Sequence, residues 1–291
     1  MSLPDLNLPV LPANCEPWTT GSRAILPLAH APLLRLRGAP EEARDLLQRL
    51  CASDVRPVPV DAAAPGEPQL LLERDGQVLD RLSLRLDPQG ALIACTPERL
   101  AAVRARIDSM VFMEDLQLEE DTTGPAWLVW STGADLPGDA DSFRLGPSLS
   151  LVRGPLPART ESASPLDSRV WASALLDGGE LPLWRSEFSV NPLYTPLAGL
   201  ISFTKGCYPG QEVIARMDSR GKVGWQLRCL VLPVMPGDEG LKSEEDGAPA
   251  KLLGCLAVPG NESCRVLCLV RPEWSGLKLE VEGRSHRVAL D

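Results

Sequence analysis

The spacing of apolar residues changes several times along the chain, and each change predicts a different element. Near the N-terminal third, Ala43, Leu46, Leu47 and Leu50 recur at intervals of three and four residues. This spacing places them on one face of a helix over residues 39–51. The opposite face is polar, so the pattern predicts a helix that packs against a core.

The pattern then switches to the period of β-strands. Residues 69–74 and 82–86 flank Asp75-Gly76, a turn pair typical of a hairpin, and a third strand is predicted at 91–95. Thr96 is predicted to cap a following helix. The buried stripe of that helix consists of Leu100, Val103, Ile107 and Val111. Helix, hairpin, strand and helix together predict an α+β unit.

The middle of the chain is less regular, because residues 124–168 are rich in Gly, Pro, Ser and Asp. Short strands are predicted at 126–130 and 148–153. Ser164-Pro165 is then predicted to open a helix that ends at Gly178-Gly179. These elements predict a second α+β unit.

After Gly221 short apolar runs are separated by turn residues at regular intervals, which is typical of a small antiparallel barrel or sandwich. The predicted strands are 225–234, 251–258, 264–271, 277–282 and 286–290. The predicted fold class is therefore α+β, with two α+β units forming one body and a small C-terminal antiparallel β-barrel. The predicted divisions are a loosely tethered arm at 1–22, a first unit at 23–116, a second unit at 117–220 and the barrel at 221–291.

Composition narrows the function. Of the 291 residues 44% are hydrophobic and 23% charged, which is ordinary for a globular protein, and no apolar run approaches the roughly 20 residues of a membrane span. We expect a cytoplasmic protein with no membrane partner. The net charge of −10 argues against direct nucleic-acid binding. Residues 205–228 nevertheless hold five basic and two acidic residues, which fits either attraction of a polyanionic small ligand or a solvated basic face.

The eight cysteines include no Cys-x-x-Cys pair, and only His30 and His286 could supplement them as ligands. We therefore predict no built-in metal site and mostly buried, reduced thiols, among them Cys229, Cys255, Cys264 and Cys268 in the predicted C-terminal strands. With so few histidines, a Ser-His-Asp hydrolase is also disfavoured.

The stretch with the most chemistry is the octapeptide Lys205-Gly206-Cys207-Tyr208-Pro209-Gly210-Gln211-Glu212. Its glycines and proline predict a tight turn that feeds a helix, with Pro209 in the first turn. Cys207 would then lie at the helix N-terminus beside Lys205, where the dipole and the ammonium both favour a thiolate. Cys207 is either a reactive thiol or an inert one packed under the turn, and the side chains of Gln211 and Glu212 either bind a ligand or cap the helix.

The octapeptide resembles the signature of the YgfZ-type folate-binding family, which is related to the T-protein (aminomethyltransferase) of the glycine cleavage system. The match to Lys-Gly-Cys-aromatic-x-Gly-Gln-Glu is complete, and it continues through Arg216 to Gly221-Lys222-Val223. Looser likenesses occur in residues 52–55 and in 171–179.

The resemblance implies a tetrahydrofolate-binding accessory protein that supports assembly or repair of iron–sulfur clusters, including those of tRNA-modifying enzymes. The expected partners are folate and iron–sulfur client enzymes or assembly factors, and Cys207 would be the reacting thiol. The implied folate-contacting residues are Trp171, Asp177, Lys205, Gly206, Tyr208, Gly210, Gln211, Glu212 and Arg216. For Trp171 the alternative is an ordinary core tryptophan, and for Asp177 it is a solvated helix end.

One block departs from the transferase. T-proteins carry Gly-Gly-x-x-Asp-Asp where a carboxylate assists methylene transfer, whereas this chain has Asp80 followed by Arg81. A positive charge at the second position favours an accessory factor over an enzyme. The alternative, a folate-dependent aminomethyltransferase that uses Asp80, stays open.

Overall fold

The computed structural model describes residues 18–20, 23–28, 31, 33–121, 124–131, 141–146, 149–154, 164–165, 190–221, 224–236, 240–257, 263–281 and 284–290. Its strands are β1 (Trp18–Thr20), β2 (Arg23–Leu28), β3 (Leu33–Arg37), β4 (Glu67–Leu72), β5 (Val78–Asp87), β6 (Gly90–Ala94), β7 (Gln117–Asp121), β8 (Ala126–Ser131), β9 (Asp141–Arg144), β10 (Leu149–Arg153), β11 (Ser164–Pro165), β12 (Gln226–Leu232), β13 (Leu241–Ser243), β14 (Lys251–Ala257), β15 (Cys264–Val270), β16 (Gly276–Val281) and β17 (Arg284–Ala289). Its α-helices are α1 (Pro40–Leu50), α2 (Leu100–Asp108) and α3 (Gln211–Ser219), and three short 3₁₀ helices lie at Pro97–Arg99, Pro192–Tyr194 and Pro196–Leu200.

A five-stranded antiparallel sheet in the order β4-β5-β6-β3-β7 forms the first layer. Helices α1 and α2 cover one of its faces. All four residues of the predicted stripe on α1 are buried there, as are Val103 and Ile107 of α2. The predicted helices and hairpin of this region are confirmed, except that α2 ends at Asp108, so Val111 packs on the core from the loop that follows and not from the helix.

The predicted cap at Thr96 is wrong. Its side chain makes no capping hydrogen bond, and a 3₁₀ turn at Pro97–Arg99 precedes α2. The Thr96 hydroxyl instead donates to the carboxylate of Asp80 on the neighbouring strand β5.

A second antiparallel sheet has the order β11-β1-β2-β8-β10-β9. This sheet corrects two expectations. The segment Trp18–Thr20 is predicted from the sequence to belong to a loose arm, but it pairs with both β2 and β11. The pair Ser164–Pro165 is predicted to open a helix, but it forms strand β11. Residues 1–17 and the rest of the predicted helix at 166–179 lie outside the described residues, and the divisions at 23, 117 and 221 stay predictions.

The C-terminal region contains the five predicted strands and one more, β13. They form two three-stranded sheets, β12-β15-β14 and β13-β16-β17, whose facing sides share one apolar core. The antiparallel arrangement of the predicted barrel is present, but the two sheets do not close into a barrel in the part of the chain that the structure describes. Short apolar strands separated by turns fit a barrel and a two-sheet sandwich equally, because the difference lies in whether the edge strands pair and close the sheet.

The other side of β15 packs against the body. Leu267 and Leu269 join a core with Leu70, Val78 and Ile214, so the segment that carries the octapeptide lies between the five-stranded sheet and the C-terminal sheet. None of the helices that the structure describes is long and apolar enough to cross a membrane.

Candidate functional site

The octapeptide forms a corner without regular structure, followed by a helix that begins later than predicted. Gly210 is the N-cap residue of α3, and the helix starts at Gln211. Pro209 therefore precedes the helix, and Cys207 lies four residues ahead of Gln211. The predicted placement of Cys207 at the helix N-terminus, and of Pro209 in the first turn, is wrong.

Gly210 is where the corner requires glycine. Its φ of 83° is in the left-handed region, and a Cβ there would lie 2.5 Å from the carbonyl oxygen of Glu73. Glu73 begins the β4–β5 turn, whose Gly76 packs against Val213 of α3. The hairpin turn and the corner therefore fix each other's backbone.

Lys205 anchors the other end of the corner. Its side chain is 8% exposed, and Nζ donates to the carbonyl oxygens of Gln48 at 2.5 Å, Cys51 at 2.6 Å and Ser53 at 2.8 Å. These carbonyls lie at and just after the C-terminal end of α1, where helix carbonyls lack partners within the helix. A charged ammonium has three N–H donors, and the three carbonyls use all of them.

This arrangement corrects the expectation that Lys205 assists Cys207. Its donors are directed into the first layer, and burial lowers the pKa of the ammonium below its ordinary value. The Cys51 thiol lies in the same environment, and burial raises its pKa to about 12, opposed by the charge of Lys205. The lysine therefore holds the corner in position on the end of α1.

Tyr208 also faces inward. It is 6% exposed within the core shared with Val78 and Ile214, and Lys205 Nζ lies 5.6 Å from its ring centroid. Burial raises the pKa of its hydroxyl. A folate contact by Tyr208 stays a prediction.

The outer side of the corner carries Gly206 and Cys207, both exposed. On the first turns of α3, Glu212 and Arg216 form an exposed ion pair, with side chains 84% and 58% exposed, while Gln211 is half-buried. The structure thus brings eight of the ten predicted site residues to the corner and the first turns of α3. Trp171 and Asp177 lie outside the described residues.

The thiols differ sharply in exposure. Cys207 and Cys229 are exposed, whereas the other described cysteines, Cys51, Cys95, Cys255, Cys264 and Cys268, are buried. The prediction that Cys229 is buried is wrong, because it lies on the side of β12 opposite Leu230 and Leu232. Among the described residues, no three Cys, His, Asp or Glu side chains come together as metal ligands. The absence of a metal site stays a prediction.

The block that departs from the transferase lies on β5. Asp80 is 2% exposed, and its carboxylate accepts hydrogen bonds from the Thr96 amide (2.9 Å), the Thr96 hydroxyl (2.6 Å) and the Arg81 amide (2.9 Å). Burial raises the pKa of Asp80 to about 6, and these hydrogen bonds oppose the rise. The Asp80 carboxylate is therefore buried and bound to the amide and hydroxyl of Thr96.

Arg81, on the opposite side of the strand, lines a cavity of about 40 Å³ between the two large sheets. Among the described residues, the lining other than Arg81 and Thr96 is apolar and includes Leu28, Leu128 and Leu151. Of the two residues Asp80 and Arg81, it is therefore Arg81, with its guanidinium, that lines this cavity.

Sequence reasoning missed the partners that fix the corner. The carbonyls of Gln48, Cys51 and Ser53 and that of Glu73 are backbone groups, and any residue type supplies them. The only available signal was the likeness of residues 52–55 to the family's opening.

Comparison of the chain with known proteins gives matches among solved structures. No family model and no curated protein matches the chain. Among solved structures, the aminomethyltransferase T of the glycine cleavage system from Bartonella henselae superposes with a TM-score of 0.63 over 91% of this chain and 84% of that one, at 13% identity. The chain has the fold of an aminomethyltransferase T. At this identity the likeness concerns the fold alone.

Proposed function

We propose that the chain is a tetrahydrofolate-binding accessory protein that supports assembly or repair of iron–sulfur clusters in client enzymes, including those that modify tRNA. Cys207 is its reacting thiol, and the protein acts in the cytoplasm. The proposal is supported by the complete octapeptide, which resembles the YgfZ-type signature, and by the aminomethyltransferase T fold.

The observation that carries the proposal is an exposed thiol on a backbone held at both ends. Lys205 ties one side of the corner to the end of α1 through three carbonyls, and Gly210 fits against the Glu73 carbonyl on the other. Cys207 itself is exposed. A packing cysteine needs burial, whereas a thiol that reacts with a group on another protein needs this kind of presentation.

The described residues supply only part of a folate site. The cavity beside Arg81, at about 40 Å³, is much smaller than the roughly 300 Å³ or more of a typical small-molecule pocket. In this proposal Trp171 stacks on the pterin and Asp177 accepts from its donor edge. Folate binding therefore rests on the resemblance of residues 171–179.

The second candidate is a folate-dependent aminomethyltransferase that uses Asp80. In its favour, a carboxyl group whose pKa lies near 6 suits proton transfer at neutral pH. Against it, the Asp80 carboxylate already accepts three hydrogen bonds, two of them from Thr96, and the cavity beside it is lined by Arg81 and not by Asp80. Methylene transfer to tetrahydrofolate that is lost in Asp80→Asn and kept in Cys207→Ser would establish the transferase.

The direct test of the folate proposal is binding of tetrahydrofolate to the purified protein. A ligand at about 100 times its Kd stabilises the folded state by roughly 2.7 kcal/mol, which raises the melting temperature, and we also expect quenching of tryptophan fluorescence. Trp171→Ala should weaken binding by about 1–2 kcal/mol, and Trp171→Phe, which keeps an aromatic face, should lose less. No folate-dependent rise in melting temperature in the wild-type protein would contradict the proposal.

A further inference from the structure

Away from the octapeptide, the loop between α2 and β7 places two large apolar side chains in solvent. Phe112 is 80% exposed and Met113 is 96% exposed, and they are adjacent in the chain. Single exposed apolar residues are common on protein surfaces, but a neighbouring aromatic and methionine at a loop tip form a larger apolar projection. We refer to these two residues as the apolar tip.

The apolar tip is held in place by hydrogen bonds. The carboxylate of Glu114 accepts from the backbone N–H of Phe112 at 3.0 Å and of Met113 at 3.1 Å, and it also pairs with Arg49 of α1. One carboxylate therefore fixes the backbone under both apolar side chains. Their exposure results from an ordered turn.

Both ends of the loop are also anchored. Before the tip, Met110 and Val111 pack on the core between α1, α2 and the sheet, and after it Leu116 is buried. The amide of Asp115 donates to the carboxylate of Glu42 at 3.1 Å. Much of the entropy cost of ordering this loop on binding is therefore already met in the free protein.

The surroundings of the tip are acidic. Residues 108–121 contain six acidic residues and no basic one. Four arginines of the described structure pair with acidic residues of this segment: Arg37 with Glu119, Arg49 with Glu114, Arg153 with Asp121, and Arg104 with both Glu120 and Asp108. Acidic groups still outnumber them, so the tip repels anionic lipid and nucleic acid and attracts a basic surface.

From these contacts we propose that the apolar tip is a docking element for a partner protein that has an apolar pocket bordered by Lys and Arg side chains. Phe112 and Met113 fill the pocket, an aromatic and a flexible thioether being residues enriched at interfaces. The acidic rim pairs with the basic border and sets orientation. This surface is separate in the chain from the corner that carries Cys207, so it can hold a partner while the thiol reacts elsewhere.

The test begins with a photo-cross-linking amino acid, p-benzoylphenylalanine, placed at Phe112 of the full chain in cells. Val60, an apolar residue 38% exposed in another loop, is the matched control position. We expect a cross-link from position 112 and not from 60, with the attached peptide lying on an apolar surface flanked by basic residues. The protein so identified is then purified, and its Kd is measured for the wild-type chain, for Phe112→Ser with Met113→Ser, and for Val60→Ser.

We expect the double substitution to weaken binding by at least about 30-fold, the scale of losing two buried interface residues, and Val60→Ser to leave Kd unchanged. The wild-type Kd should also rise with salt, because the rim contacts are ionic. Since both tip side chains are exposed, the melting temperature of the double variant should match that of the wild type. The proposal is wrong if position 112 gives no more cross-linking than position 60, or if it cross-links only to lipid, to nucleic acid or to a second copy of the chain. It is also wrong if the cross-linked surface of the partner is acidic or polar. An unchanged Kd of the double variant would equally overturn it.

Discussion

Replacing Lys205 with methionine should destabilise the protein far more than removing any exposed charge of the octapeptide region. The substitution keeps an unbranched stem of similar length and removes the three N–H donors that bind the carbonyls of Gln48, Cys51 and Ser53. Each buried carbonyl left without a donor costs about 1–3 kcal/mol. Part of that loss is offset, because the buried ammonium no longer has to be desolvated.

The expected net loss is therefore roughly 3 kcal/mol in the free energy of unfolding, measured by urea denaturation followed by circular dichroism. Arg216→Met is the matched control, because it removes one positive charge from the same segment. Arg216 is 58% exposed and its ion pair within the described residues is with the exposed Glu212, so its loss should cost less than about 1 kcal/mol. If Lys205→Met were as stable as Arg216→Met, the anchoring role of the lysine would be wrong.

Two further predictions concern the backbone corner and the buried carboxyl. Gly210→Ala should lower the free energy of unfolding, measured by urea denaturation, by at least about 2 kcal/mol, because it combines a left-handed φ with a Cβ 2.5 Å from the Glu73 carbonyl oxygen. Gly206→Ala is the control and should be nearly neutral, because a Cβ at Gly206 meets nothing within 4 Å. Equal effects of the two substitutions would contradict the role of Gly210. Because the pKa of Asp80 is raised from 3.8 to about 6 on folding, its contribution to stability is present below pH 4 and is lost as pH rises through 6. The difference in unfolding free energy between wild type and Asp80→Asn should therefore change by about 3 kcal/mol between pH 3.5 and 8, and a constant difference would show that the carboxyl titrates normally.

The elements that sequence predicted well are those whose burial is decided locally. The stripe on α1 and the turn at Asp75-Gly76 depend on neighbouring residues, and both are present. The C-terminal strands begin and end within two residues of the predicted bounds, since turn residues separate them. Cys229 was misplaced because β12 is apolar on both faces, so composition did not show which face is exposed.

The errors at the site come from contacts between distant parts of the chain. Gly210 ends the corner because the Glu73 carbonyl lies against it, and this delays the start of α3 beyond Pro209. The direction of Lys205 depends on three backbone carbonyls after α1, which no side-chain pattern encodes. The pairing of β1 with β11 joins segments far apart in the sequence, and neither carries a long enough apolar run to be predicted as a strand.

The most direct test of the proposed function is complementation by Cys207→Ala in cells that lack the protein, with the activity of an iron–sulfur client enzyme measured under oxidative stress. Cys229→Ala is the matched control, because Cys229 is the other exposed thiol among the described residues and lies outside the corner. The account predicts that Cys229→Ala restores client activity and that Cys207→Ala does not, although Cys207→Ala keeps the wild-type melting temperature and folate affinity. Full restoration by Cys207→Ala would contradict it.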